Sequence, residues 1–73
     1  MHSKEQHYFQ HITCVGTYEF SWDKISKILY LTYWPNGVLS MRIIAAGLLI
    51  TIEDAKIAAT RYISYIETSS NHC

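Results

Sequence analysis

Polar and apolar residues alternate strictly from Thr17 to Trp22, with Tyr18, Phe20 and Trp22 on one side and Thr17, Glu19 and Ser21 on the other. A period of two marks a half-buried strand. Asp23 to Ser26 supply a polar turn, and a second strand runs from about Lys27 to Trp34, rich in Ile, Leu, Tyr and Thr. Pro35-Asn36-Gly37 then has the form of a type I turn closed by a glycine in the left-handed conformation. Such a loop fixes a register in which Trp34 opposes Val38, Tyr33 opposes Leu39, Leu31 opposes Met41 and Leu29 opposes Ile43. The other face then pairs Thr32 with Ser40, Tyr30 with Arg42 and Ile28 with Ile44. A slip of one residue would mix the two sets, so turn and pattern agree.

Past Gly47 the period changes. Ile52, Ala55, Ala59, Tyr62, Ile63 and Ile66 recur at helical spacing, while Lys56, Thr60, Arg61, Ser64 and Glu67 lie off that stripe. Thr51 is placed as an N-cap with Asp54 as a first-turn acid, so the spacing predicts a helix over about 51–67. Alanines at 55, 58 and 59 let it sit close to a sheet. The segment Ser3 to Thr13 reads two ways. Ser3 with Gln6 has the form of a capping box, and Tyr8 and Ile12 are one turn apart. Thr13, Val15 and the aromatics favour an extended arm instead.

The fold class expected is α+β. A three-stranded antiparallel meander packs on one C-terminal helix, with a short N-terminal helix as an option. The helix should cover the face made by Tyr18, Phe20, Trp22, Leu29, Leu31, Tyr33, Leu39, Met41 and Ile43. No repeat or linker divides residues 1–73, which make a single domain; the polar ends, 1–6 and 68–73, are expected to fray.

Composition changes this picture in one respect. A chain of 73 residues buries only about 60–65% of its unfolded surface. Yet 49% of its residues are hydrophobic and only 16% charged, so part of the apolar material is expected to be covered by a second chain. Six basic residues balance six acidic ones, which removes any long-range field toward nucleic acid or anionic lipid and permits self-association. The apolar run Ile43 to Ile50 is far short of the roughly 20 residues of a membrane span. Two cysteines near the ends, Cys14 and Cys73, with no signal peptide at the start, point to the cytoplasm with reduced thiols as the default and a single disulfide between the ends as the alternative.

In layout and size, residues 17–67 resemble the small accessory proteins encoded by bacteriophages and other mobile elements. Many of these are a short meander followed by a helix opening Thr/Ser-x-x-Asp/Glu-Ala, as Thr51-Ile52-Glu53-Asp54-Ala55 does here. The resemblance implies action by binding other macromolecules and carries over no functional residue.

Candidate chemistry is sparse. His7, His11 and Cys14 would share one face of a helix, and His72 or Cys73 could add a fourth zinc ligand. No short Cys-x-x-Cys or His-x-x-x-His plus Cys pair anchors the other half of such a site, so no metal and no cofactor is expected. No nucleophile elbow or phosphate-cradling glycine loop is present, and an enzyme is not expected. The outward sheet face holds Tyr30, Thr32, Trp34, Ser40 and Arg42. Ile28, Tyr30, Trp34, Val38, Arg42 and Ile44 are therefore the candidate interface residues. The function expected is a regulatory or inhibitory protein-binding module acting as a homodimer with an unknown protein partner. The second reading is single-stranded nucleic acid stacked on Tyr30 and Trp34 beside Arg42.

Overall fold

The computed structural model describes residues 6–68, so most of the termini expected to fray lie outside the described residues. Four strands precede the helix: β1 (Gln6–Thr13), β2 (Gly16–Asp23), β3 (Ile28–Tyr33) and β4 (Leu39–Ala46), then α1 (Ile52–Thr68). They form one antiparallel sheet in the order β1-β2-β3-β4. The class is α+β with a C-terminal helix, but the sheet has four strands where the sequence pattern predicts three. The extra strand is β1, which pairs with β2 along its whole length, from Gln6↔Asp23 to Thr13↔Gly16.

The reason the segment reads ambiguously is visible in its burial. The residues opposite the core aromatics of β2 are His7, Phe9 and His11. Tyr8 and Ile12, the apolar pair that suggests a helix turn, are instead 70% and 74% exposed. Hydrophobicity along β1 therefore runs against its orientation. Phe9 stacks on Phe20 at 5.4 Å and His7 lies 5.5 Å from Trp22, so aromatic contact replaces aliphatic burial on this strand.

Tyr18, Phe20, Trp22, Leu29 and Leu31 form the sheet side of the core, and Leu49, Ala55, Ala59 and Ile63 close it from the helix side. The alanines have no exposure, which lets the helix backbone approach the sheet. Thr51 caps α1 as expected. Its Oγ1 accepts the Asp54 N–H at 3.2 Å, and Asp54 Oδ2 accepts the Thr51 N–H at 3.1 Å. This reciprocal pair is a capping box with aspartate in place of glutamate.

The turn Pro35-Asn36-Gly37 forms as expected. Gly37 adopts φ 86° and donates to the Trp34 carbonyl at 2.8 Å, and the Trp34 N–H reaches the Val38 carbonyl at 3.0 Å. Tyr33 pairs with Leu39. Beyond that point the expected register fails. Leu31 pairs with Arg42, Tyr30 with Ile43 and Leu29 with Ala45, with irregularities between Leu31 and Tyr33 and between Leu29 and Tyr30. Each extra residue in β4 resets which face its neighbours occupy. The core face expected from sequence is thus corrected: Leu39, Met41 and Ile43 are 65%, 64% and 58% exposed, and Tyr33 is exposed as well.

Two hydrogen bonds from β2 hold the helix at its ends. Trp22 Nε1 donates to the Leu49 carbonyl at 3.1 Å, just before α1. The Tyr18 hydroxyl donates to Glu67 Oε2 at 2.7 Å, and Thr13 Oγ1 donates to the same oxygen at 3.1 Å. The helix therefore runs back along the sheet toward the β1–β2 turn. Cys14, in that turn, is disulfide-bonded, which corrects the expectation of reduced thiols for this residue.

Candidate interaction surface

The six residues singled out from sequence do not form one patch. Ile28 pairs with Ala46 and Tyr30 with Ile43, on the sheet face away from the helix. Trp34 turns the other way and packs against the core, 6.1 Å from Tyr18. Ile44 also packs against the core. Arg42 sits opposite the core residue Leu31 but is itself exposed, and Val38 is exposed in the turn. The bulges in β4 cause this dispersal, because they turn Ile44 and Arg42 away from the face that strict alternation assigns them.

What the structure brings together lies one strand further along. Among the described residues β4 is an edge of the sheet, with no strand beside its outward N–H and C=O groups. Natural edges are blunted by lysine, proline, β-bulges or inward-pointing charges; β4 has its two bulges, and Arg42 stands opposite the core residue Leu31. Here the strand is Leu39-Ser40-Met41-Arg42-Ile43-Ile44-Ala45-Ala46, with Arg42 as its single charge. Leu39, Met41 and Ile43 stand exposed along it. The opposite edge, β1, carries two glutamines and two histidines in its eight residues.

A groove of about 550 Å³ runs between β4 and α1. Ile44 and Ala45 form its strand wall, and Asp54, Ile57, Arg61 and Tyr65 lie along its helix wall, with Leu48 in the connection. Leu48, Ile57 and Tyr65 are each more than half exposed. Spacings of three and four place residues 54, 57, 61 and 65 on one stripe of the helix. The sequence does carry this signal: Ile57 and Tyr65 fall off the core stripe of α1 and form a second apolar line. It reads as scatter until a neighbouring strand is known.

On the outward sheet face, Tyr8, Ser21, Tyr30 and Ile43 occupy one row across all four strands. Ser21 is 2% exposed, and among the described residues its Oγ has no hydrogen-bond partner. Titration is perturbed at Tyr18, whose phenol is held above its ordinary range by burial first and by the Glu67 carboxylate second. Both causes stabilise the neutral hydroxyl as a donor.

The zinc constellation read on a helix comes apart on a strand. Four steps along a strand put His11 about 13 Å from His7, twice their spacing on a helix. Among the described residues no cluster of three or more His, Cys, Asp or Glu could hold a metal ion, and no helix is long and apolar enough to cross a membrane. No protein-family model, curated protein or solved structure matches the chain.

Proposed function

We propose that the chain is a non-enzymatic protein-binding module, regulatory or inhibitory, that acts as a homodimer. The observation that carries this reading is exposed apolar surface at β4, where Leu39, Met41 and Ile43 are each more than half exposed and an apolar groove lies between the strand and α1. Exposed apolar surface of this extent is costly to leave in water and marks interaction sites. The regulatory or inhibitory sense of the binding rests on the likeness in layout to phage accessory proteins.

Single-stranded nucleic acid receives less support. Stacking needs Tyr30, Trp34 and Arg42 on one platform, and Trp34 is committed to Tyr18. Light scattering at high micromolar concentration tests the main reading. A mass near twice the 8.5 kDa of one chain is expected; a single-chain mass overturns the homodimer. Salt-sensitive binding of a short labelled oligonucleotide, lost in Tyr30→Ala, would instead favour nucleic acid.

A further inference from the structure

We infer that the groove between β4 and α1 seats an acidic amphipathic helix supplied by a partner protein. This rests on the protein-binding reading and names the partner's chemistry; it is independent of the homodimer.

Width leaves the room. Neighbouring strands lie about 4.8 Å apart and a helix with its side chains is about 10 Å across, so one helix covers roughly two strands of this sheet. α1 is fixed on a diagonal. At its start the Leu49 carbonyl accepts from Trp22 Nε1, and Trp22 shares a row with Leu29 and Ala45. At its end Glu67 accepts from Tyr18 and Thr13, beside the β1–β2 turn. The helix therefore begins near β4 and finishes near β1, and the space between it and β4 widens toward the β3–β4 turn. Arg42 marks that space. It shares the helix side of the sheet with its cross-strand partner Leu31, yet Leu31 is fully buried and Arg42 is exposed.

Length and lining match a helix. The wall of the groove from Asp54 to Tyr65 rises about 16 Å, roughly three turns. A partner helix laid beside it would present apolar residues at i, i+4, i+7 and i+11 to Ile44, Leu48 and Ile57. Ile57 and Tyr65 are both more than half exposed, so this wall is open, and tyrosine is a common anchor in such contacts.

Charge selects the partner. Asp54 is the single acid of the lining, and its Oδ2 already accepts from the N–H groups of Ile50 and Thr51. Arg61 lines the groove and is exposed. Arg42 lies two residues from Ile44, about 7 Å along the strand, and Ile44 packs on the core from the helix side. The wide end is thus positive. A helix with Glu or Asp beside its apolar stripe complements it, and a basic one is repelled. A second copy does not meet this need. Its α1 buries its own apolar stripe at Ala55, Ala59 and Ile63, and the stripe left open would bring Arg61 toward Arg42.

The test uses two stapled helical peptides of about 15 residues, alike in a leucine stripe and carrying either glutamate or lysine beside it. Each is titrated into the full chain and followed by fluorescence anisotropy and by amide chemical shifts. The glutamate peptide is expected to bind roughly tenfold more tightly than the lysine peptide, in a salt-sensitive way, and to shift amides in 42–45 and 54–65. Arg61→Glu should reverse the preference, and Tyr65→Ala should weaken both peptides. Both side chains are exposed, and far-UV circular dichroism confirms that each variant folds. Ile43→Lys, on the outward sheet face, leaves binding unchanged. Equal binding of the two peptides, shifts confined to another surface, or no binding at about 1 mM each overturns the proposal. Oligonucleotide binding lost in Arg61→Glu, with neither peptide bound, overturns it in favour of a phosphate backbone. Light scattering reads the homodimer separately. A dimer that ignores both peptides loses this inference and keeps the earlier reading, and a monomer that ignores both loses the two together.

Discussion

Tyr18 concentrates much of what individual residues do in this molecule. Its ring is buried among Phe20 and Trp34, and its hydroxyl donates to Glu67. The folded-state pKa lies above the ordinary value of about 10. Below that value both states keep the proton and the stabilisation is complete. As pH rises past it, the unfolded chain ionises first and stability falls. Alkaline titration of wild type followed by circular dichroism is therefore expected to show a loss of stability beginning near pH 10. Tyr18→Phe should flatten that limb and cost about 1.5–3 kcal/mol at neutral pH, the scale of a hydrogen bond to a charged acceptor. Ser21 is the converse case. Its buried hydroxyl has no partner among the described residues, so Ser21→Ala is expected to be neutral or to stabilise by up to about 1 kcal/mol in urea denaturation.

Among the elements, α1 was the most legible in sequence, since Thr51, Asp54 and the Ala55–Ala59–Ile63 stripe all perform the roles their spacing assigns. Thr51→Ala removes the acceptor for the Asp54 N–H and is expected to lower thermal stability by about 1 kcal/mol. β2 was equally plain, because Tyr18, Phe20 and Trp22 are all buried. β1 was not, for a physical reason. An edge strand lends only one partner to the sheet, and histidines at its inward positions erase the alternation that identifies a strand. The half-failure of β4 has a different cause. Pattern and turn together set the first pair correctly, but a bulge depends on how a strand must coil to follow its neighbour, and no local residue announces it. The candidate interface suffered most from this, since the residues expected to share one face were assigned by strict alternation.

At the scale of the whole molecule, every connection joins neighbours: a meander of four strands followed by a helix that returns across it. Both β1–β2 and β3–β4 turns therefore lie at the same end of the sheet, where α1 also finishes. There the turns touch. A Cβ built on Gly16, whose φ is +139°, would come within 2.7 Å of the Pro35 side chain. The third turn, around Lys24 and Ile25, lies at the far end, where the Gly47 N–H of the β4–α1 connection donates to the Lys27 carbonyl at 3.1 Å, while Ile25 at its tip is 71% exposed. The two ends should consequently differ in how freely the chain can change length. Three glycine-serine residues inserted after Lys24 are expected to leave the melting temperature within a few degrees of wild type, as loop-closure entropy grows slowly with length. The same insertion after Asn36 would push one turn into the other and should lower the melting temperature far more. Across natural variants of this chain, length would then drift at one pole of the sheet and stay fixed at the other, with residues 16 and 35 changing only in concert.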